Sequence, residues 1–95
     1  MQTLPQHVKV GPVVYKIQEE ARTAIDGYYG TIIYAESLIT LQPGMSQVQQ
    51  QLTLWHELFH AMLKNAGYTE HDEQLIISLS HGIVGVLQDN PELLK

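Results

Sequence analysis

The segment His56-Glu57-Leu58-Phe59-His60 contains two histidines and a glutamate whose spacing suits the binding of a metal ion and the activation of a water molecule by it. On a helix, His60 lies about 40° around the axis and about 6 Å along it from His56, so both imidazole rings can face one ion. Glu57 lies about 100° from His56, where its carboxyl group can contact a metal-bound water rather than the ion. The H-E-x-x-H pattern therefore predicts a zinc site with Glu57 as the general base. The competing hypothesis is two helix histidines that are only polar neighbours.

A zinc site of this kind needs a third protein ligand, and the downstream acids and histidines are the candidates. They are Glu70, His71, Asp72, Glu73 and His81. If Ile76 marks the centre of the apolar face of a second helix, Glu73 lies about 60° and Asp72 about 40° from it, whereas the two histidines lie on the far side. Asp72 is expected to cap that helix, so we predict Glu73 as the ligand, with Asp72 as the alternative. Glu73 could instead be an exposed first-turn acid that stabilises the helix dipole.

A long helix must carry the motif, and its start and end are marked in the sequence. Ser46 with Gln49 forms a capping pair, and Gly67 is the residue type that commonly follows a helix end. The 3.6-residue period predicts an apolar stripe of Val48, Leu52, Trp55, Phe59, Met62 and Ala66, with Leu54, Leu58 and Ala61 on the opposite side. A helix that is apolar on two sides is expected to lie between two layers.

A second helix is expected to supply the third ligand. Thr69 followed by Asp72 is an N-cap signal, and Asn90-Pro91 ends the helical pattern. The predicted buried face consists of Leu75, Ile76, Leu79, Ile83, Val86 and Leu87.

The first half of the chain has the β-branched residues and turn signals of strands. Gly11-Pro12 breaks any helix, and strands are predicted over residues 13–18, 31–34 and 38–41, with a turn at Asp26-Gly27 before the second. Residues 19–25 fit either a helical turn or a continued strand. The predicted fold class is α+β, with a small antiparallel sheet of about three strands packed on the central motif helix and a second, C-terminal helix.

Composition limits the function classes. The 95 residues carry a net charge of −5 and 44% hydrophobic residues, which fits one domain over 1–95 and disfavours nucleic-acid binding, since no basic stripe is present. Without cysteine, a metal must be bound by histidines and carboxylates. No apolar run is long enough for a membrane helix and no basic start precedes an apolar segment, so we expect a soluble, unprocessed protein of the cytoplasm.

Three segments carry a resemblance to a known family: Trp55-His56-Glu57-Leu58-Phe59-His60-Ala61, Glu73-Gln74-Leu75 and Asp89-Asn90-Pro91-Glu92. Over about residues 30–94 the chain resembles small gluzincin-like metallopeptidases of phages and mobile elements, which look related to ImmA/IrrE-type peptidases. The resemblance implies Zn²⁺ ligands at His56, His60 and Glu73 and a catalytic base at Glu57. It also implies that the strand before the motif helix, residues 31–34, is an edge on which an extended peptide or protein substrate docks. The segment after His60 lacks the glycine and third histidine of metzincins.

These observations leave three functional hypotheses. The leading one is a zinc-dependent metallopeptidase with His56, His60 and Glu73 as ligands and Glu57 as base. The alternative is a zinc-stabilised binding or regulatory module of phage or mobile-element origin, with weak or no catalysis. A third is a metal-free interaction domain in which the motif is fortuitous. His81 and Tyr68 are candidates for stabilising an oxyanion, although each is more simply a structural residue.

Overall fold

A computed structural model of the chain describes residues 4–25 and 27–94, so Asp26 of the expected turn lies outside the described residues. The elements in chain order are β1 (His7–Val10), β2 (Val13–Glu19), α1 (Ala21–Ile25), β3 (Gly30–Ile33), β4 (Leu38–Leu41), α2 (Gln47–Asn65) and α3 (Glu73–Asp89). Short 3-10 turns cover Tyr34–Glu36 and Pro91–Leu94. The α+β class is confirmed. Within the described part of the chain, no helix combines the length and the apolar character needed to cross a membrane.

The sheet has four strands in the order β1-β2-β4-β3, and it is mixed rather than antiparallel. β1, which was not predicted, forms a hairpin with β2 through Gly11, whose φ of 56° suits glycine in a tight turn. β3 and β4 pair antiparallel, but β4 inserts between β3 and β2 and runs parallel to β2. The expectation of an all-antiparallel sheet was wrong because β2 and β3, which follow each other in sequence with α1 between them, are not neighbours in the sheet: β4 lies between them and pairs parallel with β2.

The α2 helix begins and ends as its sequence predicts. The Ser46 hydroxyl accepts a hydrogen bond from the Gln49 backbone N–H at 3.2 Å. At the other end Gly67 has φ 95°, and the Tyr68 and Gly67 N–H groups donate to the Leu63 and Lys64 carbonyls, as in a Schellman motif. These contacts fix both the length of α2 and the direction in which the chain leaves it.

The core lies between the sheet and one face of α2. Its buried cluster comprises Val10, Tyr15, Ile17, Ile39, Leu41, Leu54, Leu58 and Ala61. The first of the two predicted apolar sides of α2 is not fully buried: Val48, Met62 and Ala66 are exposed, while Leu52, Trp55 and Phe59 are half-buried. The second predicted side, Leu54, Leu58 and Ala61, is buried against residues of the sheet.

The α3 helix packs on α2 along a stripe four residues apart, Ile76, Ser80 and Val84. Asp72 caps it by accepting from the Leu75 N–H at 3.1 Å, so the helix starts after Asp72 and not near Thr69. The predicted buried face is also corrected, since Leu75, Leu79 and Val86 are exposed. The buried Ser80 hydroxyl donates to the Ile76 carbonyl oxygen at 2.7 Å.

Candidate metal centre

His56 and His60 project from the same side of α2, one turn apart. Their ring centroids are 5.1 Å apart, and their side chains are 24% and 14% exposed. A single rigid helix therefore presents both rings with little freedom to separate.

Glu73, the first residue of α3, completes the group. Its Oε2 lies 3.1 Å from His56 Nε2 and its Oε1 lies 2.5 Å from His60 Nε2. One ligating atom from each of the three residues lies within 4.8 Å of the others. The structure thus brings together the three residues predicted from spacing, whereas Asp72 stays at the helix cap and outside the group.

The chemistry of these donors fits a divalent cation such as zinc. Burial, the largest effect, lowers the pKa of His60 despite the opposing charge of Glu73, which favours the neutral imidazole that a metal requires. Two imidazole nitrogens and a carboxylate are a known zinc ligand set that leaves a fourth coordination position open. His56, His60 and Glu73 are therefore the residues that would hold the ion.

Glu57 is buried beside this group, with 7% of its surface exposed. Burial first, and then the charge of Glu73, raises the pKa of the Glu57 carboxyl group to about 7. Glu57 and His56 line an open cavity of about 390 Å³ whose other walls include Gly30, Ser80 and His81. A carboxyl group at this place can accept a proton from a water molecule at the open side of the ligand group.

The cavity opens beside the edge of the sheet. β3 (Gly30–Ile33) is an edge strand, and Tyr29 and Gly30 line the cavity next to α2 and α3. The strand predicted over 31–34 is thus displaced by one residue, and Tyr34 belongs to the following 3-10 turn.

The remaining predicted candidates have different positions. His81 lines the cavity and donates through Nδ1 to the Ile77 carbonyl oxygen at 3.0 Å. The Tyr68 side chain is 59% exposed, and it is the backbone carbonyl of Tyr68 that contacts a histidine ring.

Sequence reasoning missed two residues near the centre. His71 was assigned to the far side of α3, but that helix starts at Glu73, so a helical angle has no meaning for His71. In the structure His71 Nδ1 lies 2.7 Å from His60 Nδ1. Tyr34 is the second residue. Burial chiefly, and then the nearby charges of Tyr15, Glu57 and Glu73, raise the pKa of its hydroxyl group. Neither residue belongs to a recognisable motif, and only the tertiary fold brings them there.

Comparisons of the chain with models of known protein families, with curated proteins and with solved structures found no match.

Proposed function

We propose that the protein is a zinc-dependent metallopeptidase of the gluzincin-like type, with His56, His60 and Glu73 as metal ligands and Glu57 as general base. The convergence of one carboxyl group from α3 on two imidazole rings of α2 carries this proposal. Glu73 belongs to a different helix from the motif, and a fortuitous H-E-x-x-H pattern would not require an acid at this place.

The proposed reaction assigns each of these side chains one role. Zinc, when bound, supplies Lewis-acid chemistry that acidifies water and polarises a carbonyl group. Glu57 then accepts a proton from the attacking water and delivers it to the nitrogen of the leaving amine as the C–N bond breaks. The buried position of Glu57 at the cavity wall supports this role, because the carboxyl group is shielded from bulk water yet open to the substrate side.

An extended peptide is the substrate class that suits a cavity beside an edge strand. The edge strand β3 starts at the cavity wall with Gly30, and a peptide that paired with this strand could extend into the cavity beside His56 and Glu57. We also propose that the protein acts in the cytoplasm, a reducing compartment that suits a sequence without cysteine.

The test is Glu57→Gln, assayed with a peptide library after zinc loading. We expect the variant to retain one zinc per chain and to lose hydrolysis by about 10²- to 10⁴-fold, as is typical when a general base is removed. Glu70→Gln makes the same chemical change at an exposed acid and should hydrolyse like the wild type. Wild-type rates in Glu57→Gln would remove Glu57 from the mechanism.

A second candidate function is a zinc-stabilised binding module that uses the same edge strand. The openness of the site favours it: Glu73 is 57% exposed, and within residues 4–25 and 27–94 no further lobe faces β3 across the cavity. A zinc-loaded sample that cleaves no peptide in the library, yet unfolds at lower temperature when chelated, would select this function over catalysis.

A further inference from the structure

A third histidine ring stands directly behind the metal centre. His71 lies in the link between α2 and α3, half-buried, with its ring centroid 5.0 Å from that of His60. Its Nδ1 lies 2.7 Å from His60 Nδ1, on the side of the His60 ring away from Glu73. Its Nε2 lies 3.1 Å from the carbonyl oxygen of Tyr68. Two rings and one carbonyl group thus form a continuous hydrogen-bonded chain.

The carbonyl end of this chain determines where the protons lie. A carbonyl oxygen only accepts, so His71 Nε2 carries the hydrogen and donates it to Tyr68. A neutral His71 then has a lone pair at Nδ1, which accepts the Nδ1 hydrogen of His60. When an ion is bound, a neutral His60 that donates from Nδ1 has its lone pair on Nε2, the atom that faces Glu73 and His56. The proton pattern matches what a metal-binding imidazole needs.

The carbonyl of Tyr68 is itself held in place. The Schellman turn at the end of α2 places Gly67 at φ 95° and ties the Tyr68 N–H to the Leu63 carbonyl at 3.0 Å. The backbone end of the chain is therefore part of a rigid helix terminus rather than of a free loop.

We propose that His71 is a positioning residue of the metal centre: by accepting the Nδ1 hydrogen of His60, it fixes the His60 tautomer and ring orientation so that the Nε2 lone pair points at the ion. This inference rests on the proposed zinc site and deepens it. Partners of this kind, which hydrogen-bond to the free nitrogen of a ligating histidine, typically change metal affinity by about 10- to 100-fold when they are removed.

The test compares two substitutions of nearly equal size, His71→Leu and His71→Asn. The amide oxygen of Asn can take the place of the Nδ1 acceptor, whereas Leu has no acceptor. Zinc dissociation constants from competition with a chelator are expected to rise by about 10- to 100-fold in His71→Leu and to return most of the way to the wild-type value in His71→Asn. His7→Ala, on the opposite sheet edge from β3, is the control and should bind zinc like the wild type.

A second measurement reads the proton itself. In nitrogen-resolved NMR spectra of the zinc-loaded protein, the wild type and His71→Asn should show a protected Nδ1 hydrogen on His60, and His71→Leu should lose that protection. If His71→Leu disturbs the fold, as seen by circular dichroism, His71→Ala replaces it in the same comparison.

The outcomes distinguish a failure of the proposed zinc site from a failure of the role of His71. Failure of the wild type to bind zinc overturns the proposed function and the role of His71 with it. Wild-type zinc affinity in His71→Leu, or equal losses in His71→Leu and His71→Asn, overturns only the role of His71 as an acceptor.

Discussion

His60 Nε2 lies 2.5 Å from Glu73 Oε1, so this contact joins a histidine of α2 to the first residue of α3. The position of Glu73 depends on two features of the short link over residues 66–72. The Schellman turn directs the chain out of α2, and the Asp72 cap fixes where α3 starts. A carboxylate at the first helical position is also stabilised by the positive end of the helix dipole. The geometry of the site is therefore determined by the ends of two helices.

The assignment of the third ligand predicts that Glu73→Ala loses zinc. We expect its zinc dissociation constant to rise by more than the roughly 100-fold typical of losing an indirect partner, because one of three ligating groups is gone. Elemental analysis and chelator competition measure this. Glu70→Ala, which removes an exposed acid from the same link, is the matched control and should bind zinc normally.

Asp72 was the alternative third ligand, and a substitution at this residue tests that alternative separately. Asp72→Ser keeps a capping oxygen for the Leu75 N–H but cannot serve as a carboxylate ligand. We expect this variant to bind zinc like the wild type and to change stability by well under about 1 kcal/mol. Loss of zinc in Asp72→Ser, together with its retention in Glu73→Ala, would reassign the ligand to Asp72.

Zinc binding should also stabilise the fold. A ligand at about 100 times its dissociation constant adds about 2.7 kcal/mol to the free energy of unfolding. For a domain of this size that corresponds to an increase in Tm of about 10 to 20 °C, which calorimetry with zinc and with excess chelator will measure. His60→Ala should show no such shift, and a wild-type Tm that is indifferent to chelator would contradict a bound structural or catalytic ion.

The motif helix, and the grouping of Glu73 with its two histidines, could be predicted from sequence because short-range signals mark the helix ends and the helical period places the side chains. Ser46 marks the start of α2, Gly67 follows its end, and the four-residue spacing places His56 and His60 on one side of it. Sheet order and the role of His71 could not be predicted in this way. The parallel pairing of β2 with β4 depends on where α1 sends the chain, and His71 reaches His60 only because the link between the helices folds back.

The buried carboxyl group of Glu57 predicts a pH-dependent gain of stability on its removal. Its pKa is raised from an ordinary value of 4.5 to about 7, so the folded protein without metal holds a proton that the unfolded chain releases. Below pH 4.5 Glu57 is protonated in both states and has no effect, whereas above pH 7 its ionisation in the buried site destabilises the fold. In the presence of chelator, Glu57→Gln should therefore be more stable than the wild type by up to about 3 kcal/mol at pH 8 and nearly equal to it at pH 4.

Urea unfolding at the two pH values measures this difference. Glu70→Gln, an exposed position, should show no pH-dependent gain. An advantage of Glu57→Gln that is the same at pH 4 and pH 8 would mean that packing, rather than ionisation, explains it.

Two glycines differ in the space around them, so their replacement by alanine should have opposite effects on stability. Gly30 lies where α2 approaches the edge strand β3, and Gly82 lies in α3. A Cβ at Gly30 would lie 2.5 Å from Thr53 Cγ2 and 3.1 Å from the Thr40 carbonyl oxygen, and a β-branched side chain and backbone cannot easily move away. Gly30→Ala should therefore destabilise the protein by about 1 to 3 kcal/mol. Gly82, inside α3, has no atom within 4 Å of the added Cβ, so Gly82→Ala should stabilise by about 0.5 to 1 kcal/mol. Urea unfolding of both variants tests the pair, and a Gly30→Ala protein as stable as the wild type would show that α2 does not pack tightly on β3.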